Sequence, residues 1–262
     1  MFELMPASET IVVIFLVFLL AGTVKGIVGL GLPTICLGLL TVTLDLSSAM
    51  ILLLVPSLTT NLWQALVGGN FIKLIRRLWS FFLFASIFII LGALFATNFP
   101  TDTLSILLGA LLVLYGTSSL LGLQLNLSKQ KQRWCGPVFG AINGIFTGMA
   151  GSFVVPGVLY LQAIGLRRDA LVQAMGILFC LSTLGLGISI WAISIESPGK
   201  KNETLYGTEL IILSCVALIP TMVGMIIGQK IRTHLSESLF RRFLFMALLI
   251  LGLYIIAKTI IA

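Results

Sequence analysis

At Gly26-Ile27-Val28-Gly29-Leu30-Gly31-Leu32-Pro33, a long apolar run breaks at a glycine cluster and restarts on a proline. The pattern returns in the second half of the chain, at Gly148-Met149-Ala150-Gly151-Ser152-Phe153-Val154-Val155-Pro156. A broken helix inside a membrane leaves backbone N–H and C=O groups that lipid cannot satisfy, so it is stable only within protein or beside a polar cavity. Two such breaks at corresponding positions of the two halves indicate the binding site of a transporter.

The composition of the chain is that of a membrane protein. Of its 262 residues, 58% are hydrophobic and 10% are charged, whereas soluble domains carry about 25% charged residues. The formal net charge of +7 is explained by an excess of Lys and Arg on cytoplasmic loops. We therefore expect a polytopic membrane protein, with the lipid bilayer as a partner and no nucleic acid.

Patterns for catalysis and metal binding are missing from the sequence. The four cysteines lie in apolar segments without a CxxC pair, and the single histidine, His234, lies in a charged loop. No GxxxxGK[ST] nucleotide-binding motif occurs. We expect no enzyme activity, no catalytic residues, no metal and no cofactor. Glu3 and Glu9 precede the first basic residue, Lys25, which is the wrong charge for a secretory signal peptide.

The lengths of the apolar segments predict the architecture. Ten segments occupy roughly residues 10–25, 33–44, 47–69, 78–98, 103–124, 135–149, 154–165, 170–195, 208–229 and 239–261. Because crossing the bilayer core takes about 20 residues, the second and seventh segments are too short, and each follows a glycine break. The repeated order predicts an all-α polytopic membrane protein with two repeats, each a broken or re-entrant helical hairpin followed by three transmembrane helices.

The charged loops predict the orientation of these segments. Four loops carry the basic residues Lys73, Arg76, Arg77; Lys129, Lys131, Arg133; Arg167, Arg168; and Lys230, Arg232, Arg241, Arg242. We expect these loops in the cytoplasm, with both termini outside the cell inner (plasma) membrane. An odd number of crossings per repeat makes the second repeat inverted, as in many secondary transporters. The predicted units are a first repeat at 1–124, a cytoplasmic linker at 125–134 and a second repeat at 135–262.

The chemistry of the breaks favours an anion. Pro33 and Pro156 can each occupy the first position of a helix, leaving free amides at Gly31 and Leu32 and at residues 153–155. Free N–H groups at a helix N-terminus attract anions, and the two hairpin tips can meet near the membrane midplane. The alternative is that the glycines only allow close helix packing.

Polar residues inside the segments complete the candidate site. Neutral amides and hydroxyls can donate to an anion, although each can equally link two helices. Lys25 either belongs to the site or extends to the inner membrane interface. The candidate substrate-binding residues are Lys25, Gly26, Gly29, Gly31, Leu32, Pro33, Thr34, Asn61, Gln64, Asn143, Thr147, Gly148, Gly151, Ser152, Phe153, Pro156 and Gln173. No carboxylate lies inside a segment, so we expect uniport, or coupling through protonation of the substrate.

With these breaks, the chain resembles the sulfite exporter TauE/SafE family. Further similar stretches are Leu54-Val55-Pro56-Ser57-Leu58-Thr59-Thr60-Asn61-Leu62-Trp63-Gln64-Ala65, Val172-Gln173-Ala174-Met175-Gly176-Ile177-Leu178-Phe179, Ile219-Pro220-Thr221-Met222-Val223-Gly224-Met225 and Phe240-Arg241-Arg242. The resemblance covers nearly the whole chain and implies transport of sulfur-containing anions, such as sulfite or small organosulfonates, often outward. The family's usual triple glycine is thinned in both breaks, and Phe153 adds bulk where a small residue is common.

The leading hypothesis is a secondary transporter that exports a small sulfur-containing oxyanion through a midplane site. One alternative keeps the fold but carries a carboxylate or another inorganic anion, and another is a membrane assembly subunit that transports nothing. An intramembrane enzyme would need a nucleophile with a base, or a metal cluster, and the segments contain neither. Small-residue faces from Gly109 to Gly116 and from Gly185 to Gly187 leave a homodimer open.

Overall fold

The computed structural model of the chain describes residues 8–122, 127–196, 201–231 and 237–261. Within these ranges it consists of ten helices and contains no strand. The helices are α1 (Ser8–Val28), α2 (Leu32–Thr43), α3 (Leu46–Leu66), α4 (Phe71–Ala96), α5 (Thr101–Leu120), α6 (Lys129–Ala150), α7 (Gly157–Ala163), α8 (Arg168–Glu196), α9 (Lys201–Ile231) and α10 (Glu237–Ile261).

The helix order confirms the predicted all-helical membrane class. Seven of the described helices (α1, α3, α4, α5, α8, α9 and α10) are long and apolar enough to cross a membrane. The two short segments are helices of 12 and 7 residues, α2 and α7. Because α6 begins at Lys129, part of the predicted linker is helical. Residues 123–126, both termini and His234 lie outside the described residues.

The two halves of the chain are interleaved in the bundle. α1 packs against α9 and α4 against α6, while α3 packs against α8 and α5 against α10. If each helix of the first half is matched in order with one of the second half, α1 corresponds to α6 and α4 to α9. The pair α1–α9 then corresponds to the pair α6–α4, while α3–α8 and α5–α10 each correspond to themselves. Much of the apolar core, which includes Phe18, Leu37, Phe81 and Leu178, is therefore formed between the halves.

Named contacts give the relative directions of these pairs. Ser57 lies against Thr183, and Gln173 bonds to Ala65, so α3 and α8 run antiparallel. The same holds for α5 and α10, in which Gly109 and Gly116 face Gly252 and Phe245 respectively. In contrast, Gly22 and Gly26 face Thr221 and Met225, so α1 and α9 run parallel, as do α4 and α6.

Glycines bring the parallel pairs into backbone contact. A Cβ added to Gly22 would lie 2.3 Å from the carbonyl oxygen of Thr221, and one added to Gly144 would lie 2.4 Å from that of Ala85. Small residues of this kind let membrane helices approach closely. Any larger residue at these positions would push the helices apart.

The small-residue faces that left a dimer open are turned toward the chain's own helices. Gly109 and Gly116 face α10, while Gly185 faces Ile89 and Gly187 lies near Leu54. These glycines therefore pack within one chain.

Acidic and basic loops lie at opposite ends of α3. Beyond its C-terminus, Arg77 donates from Nη2 to Gln132 Oε1 (2.8 Å) and Ile164 O (3.3 Å), which joins three of the basic loops. At its N-terminus, Asp45 and Asp102 line a 210 Å³ cavity together with Lys258, Thr41 and Thr259. The bundle therefore has one strongly basic end.

Candidate functional site

Both glycine breaks end a helix in the same way. Gly29 (φ 82°) and Gly151 (φ 66°) adopt the left-handed conformation, which costs roughly 1–2 kcal/mol for a residue with a Cβ. Their amides donate to the carbonyl oxygens of Lys25 (2.7 Å) and Thr147 (2.8 Å) and close the last turns of α1 and α6. Glycine at this position is a common helix ending because it adopts the conformation without strain.

The chain restarts differently after the two breaks. Pro33 lies in the first turn of α2, one residue after its start at Leu32, with Gly31 as the N-cap residue (φ 107°). Pro156 follows a cis peptide bond and precedes α7 as its N-cap residue. The prediction that each proline occupies the first helical position is therefore off by one residue for Pro33 and wrong for Pro156.

The second break forms a closed, buried turn. The first amide of α7, Gly157 N, already donates to Asn143 Oδ1 at 2.9 Å. The hydroxyl of Thr147 bridges the carbonyl oxygens of Asn143 (2.8 Å) and Ser152 (2.9 Å). Phe153, Val154 and Val155, expected to present free amides, are no more than 2% exposed. A seven-residue helix with its first amide capped offers little to an anion, so we correct the expectation of two convergent helix N-termini.

The breaks lie toward opposite ends of the α3–α8 pair. An added Cβ at Gly29 would lie 3.6 Å from Val172, near the start of α8, and one at Gly151 would lie 3.1 Å from Met50, near the start of α3. Because Val172 lies near the level of Ala65 across the antiparallel pair, about 22 Å of helix separates it from the level of Met50. The tips, expected to meet, therefore lie apart along the α3–α8 pair.

A polar cluster occupies the level between the breaks. Lys25 is 4% exposed, and its Nζ donates to Thr60 Oγ1 (3.0 Å) and to Asn61 Oδ1. Asn61 Nδ2 donates to Ser57 Oγ (2.9 Å), which lies 3.0 Å from Thr183 Oγ1. These five residues, which we call the Lys25 cluster, join α1, α3 and α8 at the centre of the bundle.

Lys25 is a buried cation whose described partners are neutral. Its side chain turns into the bundle, so the alternative in which it extends to the membrane interface is wrong. An ammonium group has three N–H donors, of which Thr60 and Asn61 take two. No described carboxylate pairs with it. Because burying an unpaired charge is unfavourable, a negative group beside Lys25 would stabilise the cluster.

Three further buried donors have no hydrogen-bond partner among the described residues. They are Thr34 Oγ1 on α2, Asn143 Nδ2 on α6 and Ser182 Oγ on α8. Leaving such a group unpaired costs about 1–3 kcal/mol.

Gln64 and Gln173 bind backbone groups. Gln64 Nε2 donates to Gly29 O (2.7 Å) and to a carbonyl oxygen of α8 (2.9 Å), which uses both of its amide hydrogens. Gln173 Nε2 donates to Ala65 O (2.8 Å), and its Oε1 accepts from Asn70 N (3.0 Å). These two residues therefore position the first break and the end of α3, and the structure does not bring them into the Lys25 cluster.

Other candidate residues serve packing. An added Cβ at Gly26 would lie 2.3 Å from Met225 O, and one at Gly148 would lie 2.2 Å from Ile89 O, so the close-packing alternative explains both glycines. Phe153 is buried with its ring 6.2 Å from that of Phe179. Leu32 is fully buried as well.

The structure adds three hydroxyl residues that the sequence analysis missed, Ser57, Ser182 and Thr183. Ser57 lies one helical turn before Asn61 on α3. Ser182 and Thr183 lie 122 positions after Thr60 and Asn61, which is also the offset between the two break glycines. Aligning the two halves on that offset would have indicated both residues.

Replacing Gln173 with methionine tests its structural role. The change removes one hydrogen bond from α8 to Ala65 O at the end of α3 and one to Asn70 N before α4. Each is worth about 1 kcal/mol, so we expect a loss of about 2 kcal/mol in the free energy of unfolding. The anion concentration for half-maximal transport should not change. The control is Gln130→Met on the exposed surface of α6. A large change in that concentration would place Gln173 in the binding site.

The chain as a whole matches one protein family. The profile described as Sulfite exporter TauE/SafE matches residues 14–255, which include both breaks and the whole Lys25 cluster. No curated protein and no solved structure matches the chain. Seven membrane-spanning helices agree with a multi-pass membrane transporter. The chain therefore belongs to the sulfite exporter TauE/SafE family.

Proposed function

We propose that this protein is a secondary transporter that exports sulfite or a small organosulfonate. The family indicates the class of cargo, and the observation that carries the assignment to an anion is the buried Lys25 with its neutral partners. Ionisable groups inside membrane spans usually mark substrate or ion pathways. The remaining N–H of Lys25 would bind one oxygen of the anion, and hydroxyl or amide donors the others.

In this proposal the two breaks act as gates on either side of the Lys25 cluster. Each break glycine packs against the third helix of the other half, Gly29 against Val172 and Gly151 against Met50. A movement of one half relative to the other would therefore loosen one break while the second stays closed. Movement of two repeats around a fixed central site is typical of alternating access.

The helix directions support inverted repeats. α3 and α8 are corresponding helices and run antiparallel, and so do α5 and α10. Two repeats inserted with the same orientation would make each of these pairs parallel. The helix pairs between the halves support the same arrangement, because matching the two halves helix by helix gives the same set of pairs.

The basic end of the bundle supports a cytoplasmic position for the loops that contain Arg77, Gln132 and Ile164. With that orientation, α1 begins and α10 ends on the outer side of the membrane. An inside-negative potential then favours outward movement of an anion by about 2.3 kcal/mol per charge per 100 mV. Export therefore needs no titrating carboxylate in the pathway. Among the described side chains, the carboxylates of Glu9, Asp45, Asp102, Asp169 and Glu209 all lie at the ends of candidate membrane spans.

The first test is the melting temperature of the purified protein in sulfite, sulfoacetate, taurine, thiosulfate, sulfate and acetate. A ligand that binds only the folded state adds about 2.7 kcal/mol at a hundred times its Kd. We expect sulfite or a sulfonate to raise the melting temperature, and proteoliposomes loaded with that ion to release it faster when the interior is negative.

The other outcomes separate the alternatives. A rise in melting temperature confined to acetate or sulfate would support a transporter of a different anion. If no anion changes the melting temperature and none leaves the proteoliposomes, the proposed transport of an anion is wrong and an assembly role is favoured.

A further inference from the structure

A second cavity, of about 560 Å³, opens at the basic end of the bundle. Arg76, Arg77 and Arg133 line it, together with the polar residues Ser80, Gln132 and Tyr160. No carboxylate is among its lining residues, so three arginines line one space without an acidic residue there. Its volume lies within the range of about 300–1,000 Å³ that is common for small-molecule sites.

A kink in α4 places two of the arginines at this cavity. Leu78 has non-helical dihedral angles (φ −115°, ψ 17°), so the basic first turns of α4 diverge from the apolar span that follows. Arg77 donates from Nη2 to Gln132 Oε1 and Ile164 O, which are both neutral acceptors. A guanidinium has five N–H donors, so Arg77 keeps donors for an anionic ligand.

Exposed aromatic and apolar side chains place the cavity at the surface of the bilayer. Trp79, which also lines it, is 60% exposed, and Trp134, next to Arg133, is 78% exposed. Ile72, one turn before Arg76, is 66% exposed. Tryptophan is enriched where lipid tails meet headgroups, and large exposed apolar side chains in a membrane protein face lipid. The arginines therefore lie at the depth of the lipid headgroups.

The floor of the cavity is closely packed and contains no residue of the Lys25 cluster. Tyr160 is 2% exposed, and its hydroxyl donates to Gln132 O at 3.0 Å. Its ring stacks on Phe81 (4.8 Å between centroids) and on Phe139 (5.5 Å). None of the cavity's lining residues belongs to the Lys25 cluster.

We propose that this cavity binds the phosphate headgroup of an anionic phospholipid. Arginine pairs with phosphate through two parallel hydrogen bonds, and basic pockets between membrane helices suit anionic headgroups. A bound lipid would tie the kinked start of α4 to α6 and α7. The proposal holds for any transported anion, because it depends on no residue of the transport site.

The test compares lipids in the purified full-length chain. We expect mixed micelles containing phosphatidylglycerol to raise the melting temperature by about 5 °C relative to phosphatidylcholine, which corresponds to roughly 2 kcal/mol of binding energy. The double variant Arg76→Gln/Arg133→Gln should lose most of this rise, since it removes two charges and leaves the contacts of Arg77 intact. The matched control is Arg242→Gln, an exposed arginine of α10 outside the cavity.

Three results would overturn the lipid assignment. Equal stabilisation by the two lipids means that the headgroup charge is not recognised. An undiminished rise in the double variant places the lipid elsewhere. An equal rise with millimolar inorganic phosphate or sulfite, abolished in the double variant, makes the cavity a site for free anions. A sulfite response that survives in the double variant belongs to the Lys25 cluster, so the two proposals can fail separately.

Discussion

Lys25→Met is expected to reduce anion export by at least about a hundredfold while leaving the protein folded. Methionine keeps the length and the apolar stem of the side chain but removes the buried charge. Losing the charged partner of a buried ion costs about 3–5 kcal/mol, and about 2.8 kcal/mol corresponds to a hundredfold. The change removes an unfavourably buried charge together with two hydrogen bonds to neutral partners, each worth about 1 kcal/mol. Because these effects oppose each other, the melting temperature without anion should change little.

The measurement is initial efflux from proteoliposomes, normalised to the amount of inserted protein. Lys73→Met is the matched control, since Lys73 is an exposed residue of α4. The anion-dependent rise in melting temperature should vanish in Lys25→Met and persist in the control. Wild-type efflux from Lys25→Met would show that the cation is not part of the pathway.

Gly151→Val has the second large expected effect, a loss of transport of about tenfold or more. Valine must adopt a positive φ there, and its Cβ would lie 2.9 Å from Leu37 Cδ1 and 3.1 Å from Met50 Cε. The backbone strain is about 1–2 kcal/mol, and overpacking typically adds about 1–3 kcal/mol. If this break is a gate, the added bulk hinders its movement as well as its packing.

Gly165→Val separates backbone strain from crowding. Gly165 has the same φ of 66° as Gly151, but an added Cβ there meets nothing within 4 Å. We expect Gly165→Val to lower the melting temperature slightly and to transport at nearly the wild-type rate. The comparison uses efflux and melting temperature measured on both variants. Equal transport defects in the two variants would attribute the effect to strain and remove the support for a gate at Gly151.

The breaks themselves were predictable because their signals are local. A glycine cluster ends an apolar run and a proline follows it, and this pattern placed Gly29 and Gly151 correctly as helix ends. The first residue of the helix after each break could not be predicted from sequence, since a proline such as Pro156 can precede a helix or begin one. The length of α7 could not be predicted either. Residues 154–156 are apolar like the helix that follows them, so hydrophobicity does not mark where α7 begins.

The contacts between helices could not be predicted from the same signals. Whether Lys25 points inward depends on the rotation of α1 against α3, which is determined by backbone contacts such as that of Gly22 with Thr221. The role of Gln173 depends on Ala65, which lies 108 positions earlier in the chain. Such pairings arise from the packing of whole helices and leave no short pattern in the sequence.

The parallel pairing of α1 with α9 has a consequence for biosynthesis. Gly22 and Gly26 pack against Thr221 and Met225, which the ribosome adds about 200 residues later. At about 5–20 residues per second, α1 remains in the bilayer for roughly 10–40 s before its partner has been translated. During that interval its glycine face is covered by lipid or by the insertion machinery. The native bundle therefore closes only after α9 has been translated, and the first half of the chain has no finished structure of its own until then.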